Sequence, residues 1–248
     1  MTAIYTLWLR QIKKYLRSKS RIIGSLGQPI LFLVALGFGF GHIFEQAGQG
    51  NYIQFLAPGV IAMSILFTAI FGGIEIIWDR QFGFLKETLV APVSRFEIML
   101  GRTLGGATVA IFQGIIVLFI SMLIGFRVTN FALLPLALVF MFLIALMFTA
   151  LGTAIASVVQ DMTGFPLIMN FIVMPLFFLS GSLFPPGNLP SVLNVVVKIN
   201  PLSYGIDGLR GTLGQMAHFG LPADFVVMVV IAAALIGVGS YLFSKIQV

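Results

Sequence analysis

Six apolar runs, each long enough to cross a bilayer, leave this chain almost no other way to fold. They cover roughly residues 22–42, 53–78, 103–126, 132–158, 165–184 and 223–243, and a span needs about 20 mostly apolar residues. Only 9% of the 248 residues are charged, against about 25% in soluble domains. The predicted fold class is therefore all-α: a polytopic membrane protein with six transmembrane helices, built as one domain over 1–248, with no room for a soluble catalytic domain.

The distribution of positive charge predicts the orientation. Six Lys and Arg residues precede the first run (Arg10, Lys13, Lys14, Arg17, Lys19, Arg21) and four lie between 79 and 102 (Arg80, Lys86, Arg95, Arg102). The others are Arg127, Lys198, Arg210 and Lys245. With the N-terminus inside, one face of the membrane receives eleven and the other three. The positive-inside rule then puts both termini and the 79–102 stretch in the cytoplasm of a multi-pass cell-membrane protein. Read this way, the net charge of +6 implies no nucleic-acid partner.

Residues 4–21 are predicted to form an amphipathic helix ahead of the membrane. At 100° per residue Ile4, Tyr5, Trp8, Ile12, Tyr15 and Leu16 share one side, and Arg10, Lys13, Lys14, Arg17 and Arg21 share the other. Leu7 and Lys19 break the pattern. A basic helix with Trp and Tyr on its apolar side is expected to lie along an anionic leaflet, which makes membrane lipid an expected partner. A cleaved signal peptide is the rival reading, but the basic region is too long for one and the following apolar run has full spanning length.

Residues 79–106, DRQFGFLKETLVAPVSRFEIMLGRTLGG, are a long polar interruption between two apolar runs. Pro92 cannot continue a helix and biases Ala91 away from helical angles, so a helix over 80–91 should stop near Val90. Ser94-Arg95-Phe96-Glu97 then has the form of a capping box that starts the next helix. Phe82, Leu85 and Leu89 recur at spacings of three and four and form one apolar face, with Arg80, Lys86 and Glu87 elsewhere. Such a helix either rests in the lipid headgroups or docks into a groove on another protein. Just beyond it, Gly101 and Gly105 permit close helix contact, as do Gly37 and Gly41 in the first run. Glu75 and Asp79 are four apart on one helical face; an acid within a span is a functional candidate, but Glu75 lies about one turn from the charged loop, where it is expected to reach the interface or to meet Arg80 or a basic side chain of the N-terminal helix.

A second informative region, 185–222, lies between the fifth and sixth runs. Pro185-Pro186 should stop the fifth run, a short helix is predicted from Pro190 to Ile199, and Asn200-Pro201 supplies an N-cap and first-turn proline for another reaching about Leu213. These helices are too short to cross, so they are expected to be re-entrant or to lie on the outer surface, with Asp207 and Arg210 paired three residues apart.

Several chemistries are missing from the sequence. It contains no G-x-x-x-x-G-K-[ST] phosphate loop, no HExxH, no nucleophile elbow and no cysteine. LSGS at 179–182 lies inside an apolar run, and His42 and His218 are far apart. No cofactor or metal is expected on this chain, and it is not expected to be an enzyme. An ion-coupled secondary transporter or channel is the alternative, but it would need ionisable groups near the midplane, where only Asn170, Gln113 and a few hydroxyls are available.

Two segments carry a family resemblance. FGFLKETLVAPVSR, and FLSGSLFPPGNLP followed by NPLSYGIDGLR, resemble the type-2 ATP-binding-cassette permeases, in particular the daunorubicin-resistance-like branch. The resemblance implies that the 80–102 loop holds a coupling helix seated in an ATPase subunit, with Phe84, Lys86, Glu87 and Pro92 in the contact and Ser94 and Glu97 holding the next helix in register. It implies a homodimer with a partner ATPase that binds ATP and Mg, export of a hydrophobic or amphipathic substrate, and paired short helices dipping into the outer leaflet between spans five and six.

Overall fold

The computed structural model describes residues 2–48, 50–159, 161–185 and 190–246, so Pro186 of the expected Pro185-Pro186 stop lies outside the described residues. Helices account for nearly all of it: α1 (Thr2–Arg17), α2 (Lys19–Gln46), α3 (Tyr52–Phe71), α4 (Ile74–Gln81), α5 (Phe84–Val90), α6 (Arg95–Ile124), α7 (Leu134–Val158), α8 (Gly164–Phe178), α9 (Ser191–Ile199), α10 (Pro201–Leu213) and α11 (Leu221–Ser244). No strand occurs among the described residues. Five units are long and apolar enough to cross a membrane: α2, the α3–α4 pair, α6, α7 with the short turn before it, and α11.

The fifth predicted run is shorter than expected. α8 has 15 residues, about 22 Å at 1.5 Å per residue, and it ends at Phe178 rather than near 184. The hydroxyls of Ser180 and Ser182 both donate to the Phe177 carbonyl, at 2.6 and 2.9 Å, offering the backbone a local alternative to the next helical turn. Gly181 then takes φ +72°.

α3 is the axis of the bundle, packed against α2, α6, α7, α8 and α10. Lipid tails are as apolar as leucine, so helices in a membrane associate through close packing, which small residues permit. One crossing brings main chain against main chain, at glycines that the sequence reading passed over. The second span, predicted as one helix over 53–78, is interrupted at Gly72-Gly73 between α3 and α4. There Gly73 sits against the backbone of Gly152 in α7, and a Cβ on Gly152 would lie 2.5 Å from the Ile70 carbonyl oxygen. Because both sides of the contact are main chain, Gly152→Ala is expected to cost about 1–3 kcal/mol. A lowered melting temperature in detergent would show it, and unchanged melting would mean that the two helices can slide apart.

Gly101 and Gly105 also make a close contact, and the partner is α1. A Cβ on Gly101 would come within 3.0 Å of the Ile4 carbonyl oxygen, and one on Gly105 within 2.7 Å of Gln11. This corrects the reading of α1 as two-sided. Ile4, Leu7, Trp8, Gln11 and Tyr15 lie toward α6, so Leu7 fits the pattern after all, while Tyr5 and Leu16 remain exposed. In α2, Gly37 meets Ile53 of α3, whereas Gly41 has nothing within 4 Å.

α10 is buried between α3, α7 and α11. Its start follows from Asn200, whose Oδ1 accepts from the Leu202 amide at 3.0 Å while its Nδ2 donates to the Leu176 carbonyl at 2.6 Å. The expected Asp207–Arg210 pair does not form. Asp207 accepts from the amides of His218 and Phe219 at 2.7–2.9 Å. Arg210 instead donates to the carbonyls of Gly181 and Ser182 at 2.9 and 3.0 Å, over the ring of Phe55. The i, i+3 rule applies to exposed helix faces, and here both side chains are buried and take main-chain partners instead.

Candidate functional site

The interruption between the second and third spans is built as α4, a break, α5, a turn and the start of α6. Its boundaries come from local chemistry. Ala91 is extended, at φ −61° and ψ 147°, as the residue before a proline prefers to be. The Ser94 hydroxyl accepts from the Glu97 amide at 3.1 Å and the Glu97 carboxylate accepts from the Ser94 amide at 3.2 Å, so the capping box forms. A cap of this kind is worth about 1 kcal/mol.

The expected single helix over 80–91 is two helices. Gly83 adopts φ +81°, a left-handed conformation that glycine enters without steric cost, and it separates α4 from α5. Phe82 therefore leaves the predicted Phe82-Leu85-Leu89 face. Leu85 is fully buried and Leu89 packs beside the core, while Phe82 is 69% exposed. Among the coupling residues expected from the sequence, Phe84, Lys86, Glu87 and Pro92 are all exposed, and Ser94 and Glu97 lie in the capping box. Phe82, Phe84, Val90 and Phe96 together leave an apolar surface around α5, with Val90 84% exposed.

Around this surface the flanking helices are tied together by charge. Glu75 and Asp79 stand one turn apart on α4, both buried. Asp79 accepts from Arg102 of α6 at 2.5 Å and from Arg10 of α1 at 3.2 Å. Glu75 meets Arg21 of α2 at 2.7 Å and Lys14 of α1 at 3.4 Å. The basic N-terminal segment was the expected partner, but Arg80 was not needed. Its guanidinium donates instead to the carbonyls of Ser157 and Val159 at 3.1 and 3.5 Å, a cation at the C-terminal end of α7 where the helix dipole favours one.

Neutral bonds extend the same unit. Trp8 Nε1 donates to Thr108 Oγ1 at 3.0 Å and the Tyr15 hydroxyl to Gln113 Oε1 at 2.5 Å. Burial pushes the Tyr15 phenol above the ordinary tyrosine value, against the smaller opposing influence of Arg21, so it remains a donor. Arg95, at the first turn of α6, donates to the carbonyls of Ser244 and Ile246 at 2.7 and 2.8 Å and so holds the end of α11. No sequence signal announces that bond, because nothing local links residue 95 to residue 244. Side-chain bonds thus link α1, α4, α6 and the end of α11, and α5 packs against α4.

A family model described as ABC-2 type transporter matches residues 2–213, which include both α5 and α10. Nodulation protein J of Rhizobium leguminosarum bv. viciae is 28% identical over 215 residues, covering 84% of this chain and 82% of that protein. The inner membrane transport permease YadH of Escherichia coli K12 is 28% identical over 237 residues, covering 91% of this chain and 90% of YadH.

Proposed function

Since the chain belongs to the ABC-2 type transporter family, we propose that this membrane permease subunit is driven through α5 by a separate ATPase chain that binds ATP and Mg. The observation that carries the proposal is α5 itself, a seven-residue helix anchored by Leu85 while Phe84, Lys86, Glu87 and Val90 face outward. An amphipathic helix of this kind suits a groove on a partner. Closure of the ATPase would push α5, and the frame of α1, α4 and α6 would carry the push into the membrane as a tilt of the second and third spans. That tilt would alternate access to a path between two copies of the chain and export a hydrophobic or amphipathic substrate.

The reading includes a homodimer of this chain. In this reading both termini are cytoplasmic, α8 and the turn after it complete a sixth crossing, α9 and α10 re-enter from the outer side, and α1 lies at the lipid surface. The test is to purify the tagged chain from its native membrane in mild detergent, with and without residues 84–90. An ATPase chain should co-purify with the intact protein and be lost from the deletion. An ATPase that stays bound to the deletion variant, or a purified chain that transports unaided, would overturn the proposal.

A further inference from the structure

Asp224 stands in the first turn of α11 and is wholly buried. An aspartate in that position can accept from the free amides of the helix start. Asp224 does not: no donor among the described residues reaches either carboxyl oxygen, and both oxygens are closed to water.

The glycines of α10 fix what lies opposite. A Cβ on Gly205 would sit 3.3 Å from the Met228 methyl, and one on Gly211 would sit 2.7 Å from Leu221, so the two helices run antiparallel. Asp224, between Leu221 and Met228, therefore falls level with the turn around Gly208. There its carboxyl is within hydrogen-bond reach of the Asp207 carboxyl. Asp207 is differently supplied, because its oxygens accept from the amides of His218 and Phe219 at 2.7–2.9 Å.

No cation is turned to the pair. Arg210, the one cation of α10, donates to the carbonyls of Gly181 and Ser182. The Tyr204 hydroxyl donates to the Lys198 carbonyl, and the His218 imidazole lies against the Phe219 ring. α7 has no ionisable residue, and Arg95, Glu97 and Arg102 lie toward the end of α6 that meets Ser244, at the far end of α11. Two buried carboxyls in contact cannot both be ionised, since each charge raises the cost of the other.

We propose that Asp207 and Asp224 form a buried binding site for one proton, held on Asp224 and donated to the Asp207 carboxylate, and that this bond latches the start of α11 to α10. The proton sits on Asp224 because the amide bonds to Asp207 favour its charged form. The closed oxygens of Asp224 leave no room for water or a metal ion. The site does not depend on the permease reading. The folded chain keeps a proton here that the unfolded chain, with both carboxyls in water, gives up at neutral pH, so stability falls as pH rises. Loss of the proton sets two like charges against each other and opens the latch.

The test uses the full chain in detergent, with carbon-13 in the side-chain carboxyls of its aspartates. Infrared spectra at neutral pH should show the carbonyl stretch of a protonated acid from one of the four aspartates, shifted in heavy water, lost at high pH and absent from Asp224→Asn. Asparagine keeps the size of the protonated acid and can donate to Asp207, so Asp224→Asn should melt like the unsubstituted protein at about pH 6. By about pH 9 the unsubstituted protein should have lost roughly 3 °C or more relative to Asp224→Asn. Groups common to both proteins, His218 included, cancel in this comparison. No acid band in the unsubstituted protein, or a band that survives Asp224→Asn, would overturn the site, and equal pH dependence of melting would overturn the latch. Should Asp224→Asn fail to fold, the presence of the band in the unsubstituted protein and its loss at high pH decide alone.

Discussion

Asp79→Ala is expected to leave little intact protein in the membrane. Arg102 is 4% exposed and Asp79 is its only acidic partner among the described residues. Removing one member of a buried ion pair costs about 3–5 kcal/mol, chiefly because the other charge is left uncompensated. Arg10 also touches Asp79, but its side chain is 43% exposed, and exposed pairs contribute only about 0–1 kcal/mol. Arg10→Ala should therefore be mild where Asp79→Ala is severe. The double variant Asp79→Ala/Arg102→Met should recover most of the loss, since it leaves neither charge buried alone. Fluorescence-detected size exclusion and melting in detergent would follow all three. A single variant as stable as the unsubstituted protein would mean that Arg102 finds another anion.

The features that could be read in the sequence are those whose cause lies within a few residues. Pro92 ends α5, Ser94 and Glu97 close their box, and Asn200-Pro201 starts α10, because each depends on neighbours along the chain. Spacing also placed Glu75 and Asp79 on one face, and the nearness of Glu75 to the charged loop anticipated a basic partner such as those of the N-terminal helix. Tertiary identity was not readable. Gly101 and Gly105 announced a close approach, but not that α1 would fill it, and a helical wheel cannot distinguish an apolar side that meets lipid from one that meets another helix. Leu7 and Tyr5 were placed on the wrong sides of that distinction. Gly72, Gly73, Gly83 and Gly152 were missed for a related reason: an isolated glycine in a helical pattern is tolerated, and its effect depends on a backbone that the sequence does not bring near. Ser180 and Ser182 shortened α8 through hydroxyl bonds that hydropathy does not register.

Glu87→Ala should separate folding from function at the coupling surface. The Glu87 side chain is exposed and makes no hydrogen bond or ion pair among the described residues, so its loss should change stability by no more than about 0.5 kcal/mol. Membrane insertion and melting should be unaffected. In the proposed complex, however, the carboxylate would be covered by the ATPase, and truncating one partner of a buried charge contact costs about 2–5 kcal/mol. At about 1.4 kcal/mol per tenfold, that weakens association by roughly 30-fold or more, and transport-linked ATP turnover should be abolished at ordinary subunit concentrations. Leu85→Ala provides the contrast. Leu85 is wholly buried, and replacing it should cost about 2–5 kcal/mol of stability while also unseating α5, so its loss of turnover would come with lowered melting. Wild-type turnover in Glu87→Ala would move the coupling contact away from this residue, with Phe84 and Lys86 next to be tested. Reduced turnover with reduced melting would instead mean that Glu87 supports α5 rather than its partner.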